Sequence, residues 1–313
     1  MNSDNNFAAL WFPELNGKSR KFWNTIRIFL EELSGSLLFI NIAVSVIGII
    51  LNVFHLIVLT RKTMKSLTIN VFLIGIGACD VIRMICKVWL LFPATQFLFI
   101  DPNISFGCLN PLSYIAMVTM NFSLSTEKTT RQLSVWYGVT IAILRALALR
   151  YPLNPRIGCL INAKYGLRVL IVISIFFFPF WMLSYAQISV KKLRLWKPYR
   201  HCRNYPKNYS QVEYIYETVE IFGQSYHWLY KFVTVFEGVL SRLIPCVLLS
   251  VSTVVLLIEM QKTRKISNTA IRESNHRSTH LVMFITVTFL ISNGPLGITY
   301  LLEFVVYDRI GFA

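Results

Sequence analysis

Charge is scarce in this chain and acid is scarcer: charged residues fill 15% of its 313 positions, with 15 Asp or Glu against 31 Lys or Arg. Soluble domains carry about 25% charged residues, so a water-solvated fold is not the architecture. None of the six cysteines stands at metal-ligand spacing from another, which argues against a zinc module. The chain also lacks a glycine-rich phosphate loop, a serine elbow, an HExxH helix and any internal repeat, so nothing in it points to catalysis or to a bound metal. His276 and His280 are spaced i, i+4 but sit in a basic connection and read as solvated side chains. The opening MNSDNNFAALWFPELNGKSRKFW has no basic leader, apolar stretch and small-residue cleavage site, so the first apolar run is expected to act as the insertion signal.

What the chain does have is six long apolar runs separated by polar connections. They are Leu37 to Leu59, Ile69 to Phe92, Leu133 to Leu149, Val169 to Val190, Val239 to Ile258 and Leu281 to Leu302. Most reach the roughly 20 residues that cross about 30 Å of hydrocarbon at about 1.5 Å per residue. With 55% hydrophobic residues and a mean hydropathy of +0.54, the chain reads as an all-α polytopic membrane bundle. Seven Trp and fourteen Tyr suit interfacial belts as well as packing inside a bundle.

The net charge of +16 first reports orientation, not nucleic acid. Connections 60–68, 145–168 and 259–280 hold 3, 5 and 5 Lys or Arg, whereas 93–107 on the opposite side holds none. That asymmetry puts the amino terminus outside; the basic residues Lys18 to Arg27 and Lys191 to Arg203 run against it. Sequons at Asn103 and Asn208 fall on the outer side in this topology, as do Cys108 and Cys202. A disulfide between those two cysteines would persist there. The remaining cysteines, Cys79, Cys86, Cys159 and Cys246, read as small apolar packing residues.

Read in order, the spans resemble a rhodopsin-like seven-helix G-protein-coupled receptor, most closely the nematode serpentine chemoreceptors of class W, which are in turn similar to FMRFamide-type peptide receptors. The resemblance rests on Asn52 in GIILNVFHLIVLTRKTMKS and on Asp80 in INVFLIGIGACDVIRM. It continues with Trp136, Arg145 and Pro152 in SVWYGVTIAILRALALRYPLNP, Pro245 in LIPCVLL and Pro295 in FLISNGPLG. Three departures stand out. Arg145 is flanked by Leu144 and Ala146 instead of an acid and an aromatic. Cys108 and Arg145 are 37 residues apart, and the excess coincides with the polar stretch Asn121 to Gln132. A single helix of that length would reach about 55 Å, so the stretch is expected to loop out on the outer side or to be absent from the mature message. After Leu302 only EFVVYDRIGFA follows, with no seventh span.

The resemblance implies roles for particular residues. Arg145 would hold the inner ends closed and then face a heterotrimeric G protein; a snorkelling arginine is the plain alternative. Asp80 and Asn52 would join a sodium pocket, but Arg83, three residues on, offers Asp80 an ion pair on the same helix face or an anionic ligand a counter-charge. Pro245 and Pro295 each remove a backbone hydrogen bond and would kink their spans. Helical rise from Glu259 places Arg242 and Glu237 near the outer interface, solvated or touching ligand. Arg200 to Glu217 reads as a lid or as a solvated loop.

The organisation expected is an extracellular segment 1–35, a bundle 36–302 and a short extracellular tail 303–313. The function expected is that of a plasma-membrane receptor for an extracellular peptide or small chemical, coupled to a G protein. A truncated, non-signalling or modulatory fragment is the alternative. A transporter or channel is a remote third, since repeated halves and pore-lining charges are missing.

Overall fold

The computed structural model describes residues 17–61, 68–100, 108, 110–151, 154, 162–198, 202, 205–206, 208–219, 228–264 and 286–302. Helix α1 is Gly17–Leu59, α2 Thr68–Ile100, α3 Tyr114–Arg150 and α4 Ala163–Ala186. A hairpin follows, with β1 Ile188–Trp196 antiparallel to β2 Gln211–Thr218. Helix α5 is built from an α-helix Trp228–Gly238, a π turn Val239–Leu243 and a second α-helix Ile244–Arg264; α6 is Thr286–Leu302. Sequons, prolines and cysteines at Asn103, Pro152 and Cys159 lie outside the described residues, as does 303–313.

Helices are the natural solution here, because a backbone surrounded by lipid must satisfy its polar groups within its own segment. Among the described residues, Leu37–Leu59, Thr68–Pro93, Ala163–Ala186 and Phe232–Glu259 are long and apolar enough to cross a bilayer, and α6 is a shorter apolar helix. The result is the polytopic helical bundle expected from the apolar runs. The fourth run differs from expectation at its end: α4 stops at Ala186, and Ile188 to Val190 open β1. The apolar run continues because the start of a strand packing on the bundle has the same composition as a helix end.

The larger correction concerns Asn121 to Gln132. This stretch does not loop out; it lies within the first half of α3, a continuous helix of 37 residues. Ser113 caps the helix, its side chain accepting from Ala116 N. The length argument treated α3 as a lipid-exposed span, but α3 packs against α2, α4 and α5. Its polar side chains therefore face protein: Asn121, Ser123, Ser125, Thr129, Thr130 and Gln132 are all buried. Asn121 Nδ2 donates to Tyr185 O and to Ile188 O, both at 3.2 Å, tying α3 to the point where α4 gives way to β1.

The core lies between α2, α3 and α4. Phe72, Cys79 and Tyr137 are its buried centre, with Ile76, Leu133, Leu144 and Leu170 around them. The Phe72 and Tyr137 rings lie 5.9 Å apart, and the Tyr137 hydroxyl meets Ser174 Oγ at 2.7 Å. At the end away from the hairpin, Thr68 Oγ1 donates to Asn162 O at 2.7 Å, joining the starts of α2 and α4.

Helix α5 carries an irregularity with a definite cause. Ile244 N–H bonds Val239 O, an i to i−5 bond, and the next residue, Pro245, has no N–H to offer. The Leu240 carbonyl is thus missed by both residues that would ordinarily serve it. The Trp136 indole of α3 donates to it at 3.1 Å. Pro245 is fully buried at this join, whereas Pro295 is exposed on α6. Helices α5 and α6 meet closely where side chains are missing: a Cβ at Gly238 would come within 2.7 Å of Tyr300 Cβ, and one at Gly297 within 2.9 Å of Leu243.

Tyr137→Ala is expected to lower unfolding stability by about 3–5 kcal/mol, the cost of emptying a filled aromatic site. Tyr137→Phe should cost only about 1 kcal/mol, since Ser174 keeps its bond to Leu170 O. Denaturant titration of the purified protein in detergent separates the two.

Candidate functional site

At one end of the bundle a disulfide joins Cys108 to Cys202, with Cα atoms 5.5 Å apart, and ties the hairpin loop to the approach to α3. The expected pairing is therefore present. Tyr205 Oη donates to Cys108 O at 2.6 Å, Gln211 Nε2 to Pro111 O at 2.9 Å and Tyr216 Oη to Met117 O at 2.8 Å. Burial, and then the neighbouring Tyr209, push the Tyr205 phenol above its ordinary value, so it stays a donor at neutral pH. Arg200 to Glu217, read beforehand as lid or loop, thus supplies most of a strand. Lys191–Glu217 and Arg194–Glu213, each at 2.6 Å, staple β1 to β2 on the exposed surface. Asn208 is exposed and adopts φ 71°, a left-handed conformation that asparagine tolerates better than most residues.

Below this cap lies a buried cluster of charged groups. Arg131 of α3 pairs with Glu237 of α5, and Glu127, one turn earlier on α3, stands 3.8 Å from the same guanidinium. Tyr300 Oη of α6 donates to Glu237 Oε1 at 3.3 Å. The Arg242 guanidinium sits 5.3 Å from the centre of the Tyr300 ring, and its Nη1 donates to Asn293 Oδ1 at 3.0 Å. Its Nε is buried and finds no acceptor among the described residues. Glu237 is 3% and Arg242 5% exposed, so of the two expected readings, solvated or touching ligand, solvation is the one this burial overturns. Helical rise gave their height along α5 but not the direction they face, and both face the bundle.

One level further in, Asp80 Oδ1 accepts from Arg83 Nη2 at 3.2 Å and from Ser134 Oγ at 3.3 Å. Asn52, grouped with Asp80 in the sequence, donates its amide to Gly48 O at 2.9 Å within α1. Lys87 reaches across to Asn41 Oδ1 at 3.2 Å.

At the end opposite the disulfide, a cavity of about 300 Å³ opens between α3, α5 and α6. It runs from Ser134 to Arg145 and is walled largely by apolar residues such as Leu249, Leu256 and Phe289. Thr253 of α5 and Thr286 of α6 share a buried hydroxyl contact of 2.8 Å on its wall. Arg145 is exposed at the mouth and has no hydrogen-bond or ion-pair partner among the described residues. Among those residues no group of three His, Cys, Asp or Glu side chains is placed to hold a metal.

The residues that sequence reasoning missed are Arg131, Tyr300, Asn293 and Ser134. Arg131 fell in the stretch expected to loop out or to be absent from the mature message. Two signals there pointed to a buried helix: Asn121, Ser125, Thr129 and Gln132 fall on one helical face, and Glu127 and Arg131 are spaced i, i+4. Tyr300 and Asn293 gave no signal, since their partners lie 63 and 51 residues away in the chain.

A family model described as serpentine type 7TM GPCR chemoreceptor Srw matches residues 39–313, most of the chain. No curated protein matches it.

Removing Arg131 alone would strand Glu237 in the interior. Arg131→Ala should cost about 3–5 kcal/mol, whereas the double change Arg131→Met with Glu237→Leu should recover most of it, because both charges leave together. A double-mutant cycle in unfolding stability checks this. Equal, additive losses would mean that the two residues do not act as a pair.

Proposed function

The chain belongs to the Srw family of serpentine type 7TM GPCR chemoreceptors, and on that premise we propose that it receives an extracellular peptide or small chemical and passes the event to a heterotrimeric G protein. The observation that carries this reading is the cavity between α3, α5 and α6 with an exposed Arg145 on its lining that has no ion-pair partner among the described residues. An arginine left open at an apolar cleft suits the acidic and apolar end of an entering protein segment better than it suits lipid. In this reading the amino terminus and the disulfide-bound hairpin face outward. Asn208, exposed at the hairpin loop, and Asn103 then carry the glycans, and the inner ends face the cytoplasm.

The ligand site in this proposal sits beneath the hairpin, where Glu237 and Arg242 form a charged floor with Arg131 and Tyr300. Arg131 and Arg145 are on one helix, 14 residues or about 21 Å apart by helical rise. A ligand that draws on Glu237 or Arg242 alters contacts between α3, α5 and α6, the same three helices that wall the inner cavity. Ligand and G protein then favour the same arrangement, and their affinities are linked. A tenfold effect in either direction needs only about 1.4 kcal/mol of differential binding, within reach of one rearranged ion pair.

The test uses the purified chain in lipid nanodiscs with a panel of heterotrimeric G proteins, reading basal nucleotide exchange. The wild-type chain should accelerate exchange on at least one of them, and Arg145→Ala should reduce that acceleration tenfold or more with the protein still folded. If exchange stays at the background rate for every G protein, the signalling proposal fails and a modulatory role replaces it. Orientation is checked separately in intact cells. Asn208→Gln should remove a glycosidase-sensitive mobility shift, and a wild-type chain without any such shift would count against the outward hairpin.

A further inference from the structure

Receptors that the sequence resembles use an aspartate at the Asp80 position, together with the asparagine matched by Asn52, to hold a sodium ion, so the first question is whether the residues here fit one. They do not. The single carboxylate is already neutralised by Arg83, 3.2 Å away on the next turn of the same helix. A sodium ion added to Asp80 would stand beside a guanidinium and leave the site with a net positive charge inside a low-dielectric bundle. The carboxylate oxygen that faces Arg83 also accepts from Ser134 Oγ, so it already has two partners within the protein, and the Asn52 amide nitrogen is held by Gly48 O within α1. The nearest further acid on α3, Glu127, is seven residues or about 10 Å by helical rise from Ser134 and is engaged with Arg131.

We propose that Arg83 is the built-in counter-ion of the Asp80 site: its guanidinium takes the place of a bound cation, so the α2–α3 contact through Ser134 is held by the protein's own charge and is independent of sodium. The spacing makes this robust, because i, i+3 positions share one helix face and the arginine needs no other element to reach its partner. The inference concerns binding at one intramembrane site and does not depend on whether the chain signals.

The experiment measures the thermal unfolding midpoint of the purified protein in detergent, in sodium chloride against choline chloride at equal ionic strength. The wild-type midpoint should be the same in both salts. Arg83→Gln, which frees the carboxylate, should become sodium-sensitive, its midpoint rising by about 3 °C or more in a saturable way with sodium, as expected for a ligand bound only by the folded state. Arg83→Lys keeps the charge and should remain insensitive. A saturable, sodium-specific rise in the wild type that Asp80→Asn abolishes would overturn the proposal. A folded Arg83→Gln protein with no response to sodium would overturn it as well, since Arg83 would not then be what excludes the ion. Should Arg83→Gln fail to fold, Asp80→Asn decides: a lowered midpoint of equal size in both salts supports the internal pair, and a loss confined to sodium sinks it.

Discussion

The Arg131–Glu237 pair is the interaction around which the disulfide-bearing half of the bundle is organised. A carboxylate with 4% side-chain exposure inside a span is tolerable only if a cation reaches it. The cation comes from α3, and its delivery requires α3 to continue as a helix through the polar stretch that precedes Leu133. That in turn requires protein against the face of the stretch that carries its buried polar side chains. The hairpin, the disulfide and the end of α4 supply it, through Tyr216 on Met117, Cys202 on Cys108 and Asn121 on Tyr185 and Ile188.

Helix α3 then acts as the common post of the bundle. Within two turns it reaches α5 from Arg131 and Trp136, α2 from Ser134 and α4 from Tyr137. Four neighbouring side chains pinned to three different helices leave α3 little freedom to rotate or slide. Helices α5 and α6 are joined to each other by the Thr253–Thr286 hydroxyl pair, by Arg242 on Asn293 and over the Tyr300 ring, by Tyr300 on Glu237, and by close approaches at Gly238 and Gly297. Glu237 takes part on both sides, so α6 is tied through it to Arg131 on the post.

Much of the fold was legible in the sequence because lipid imposes a simple rule: a run of apolar residues long enough to cross must be a helix. The disulfide was legible too, since Cys108 and Cys202 fall in two connections that the expected topology places on one side. The rule fails where a helix is surrounded by protein. Asn121 to Gln132 looked unfit for a membrane because it was weighed against lipid, whereas its neighbours are polar groups of α4 and α5. Ile188 to Val190 failed for the opposite reason, being apolar enough to extend α4 although Gln187 ends it and Val219 N closes the hairpin onto Gln187 O. In the candidate site, Asp80 and Arg83 could be paired by spacing alone. Glu237 could not be paired with Arg131, since 106 residues separate them and only the folded chain brings them together.

The π turn in α5 has a geometric meaning beyond the carbonyl it frees for Trp136. Closing one ring with an i to i−5 bond accommodates one residue more than an α-helix would, so the two halves of α5 are out of phase by one residue, roughly 100° about the axis. The half before the turn keeps Glu237 and Ser241 buried, and the half after it keeps Ser252 and Thr253 buried. The extra residue works as a vernier: it sets the angle between the half whose acid meets Arg131 of α3 and the half whose hydroxyl meets Thr286 of α6.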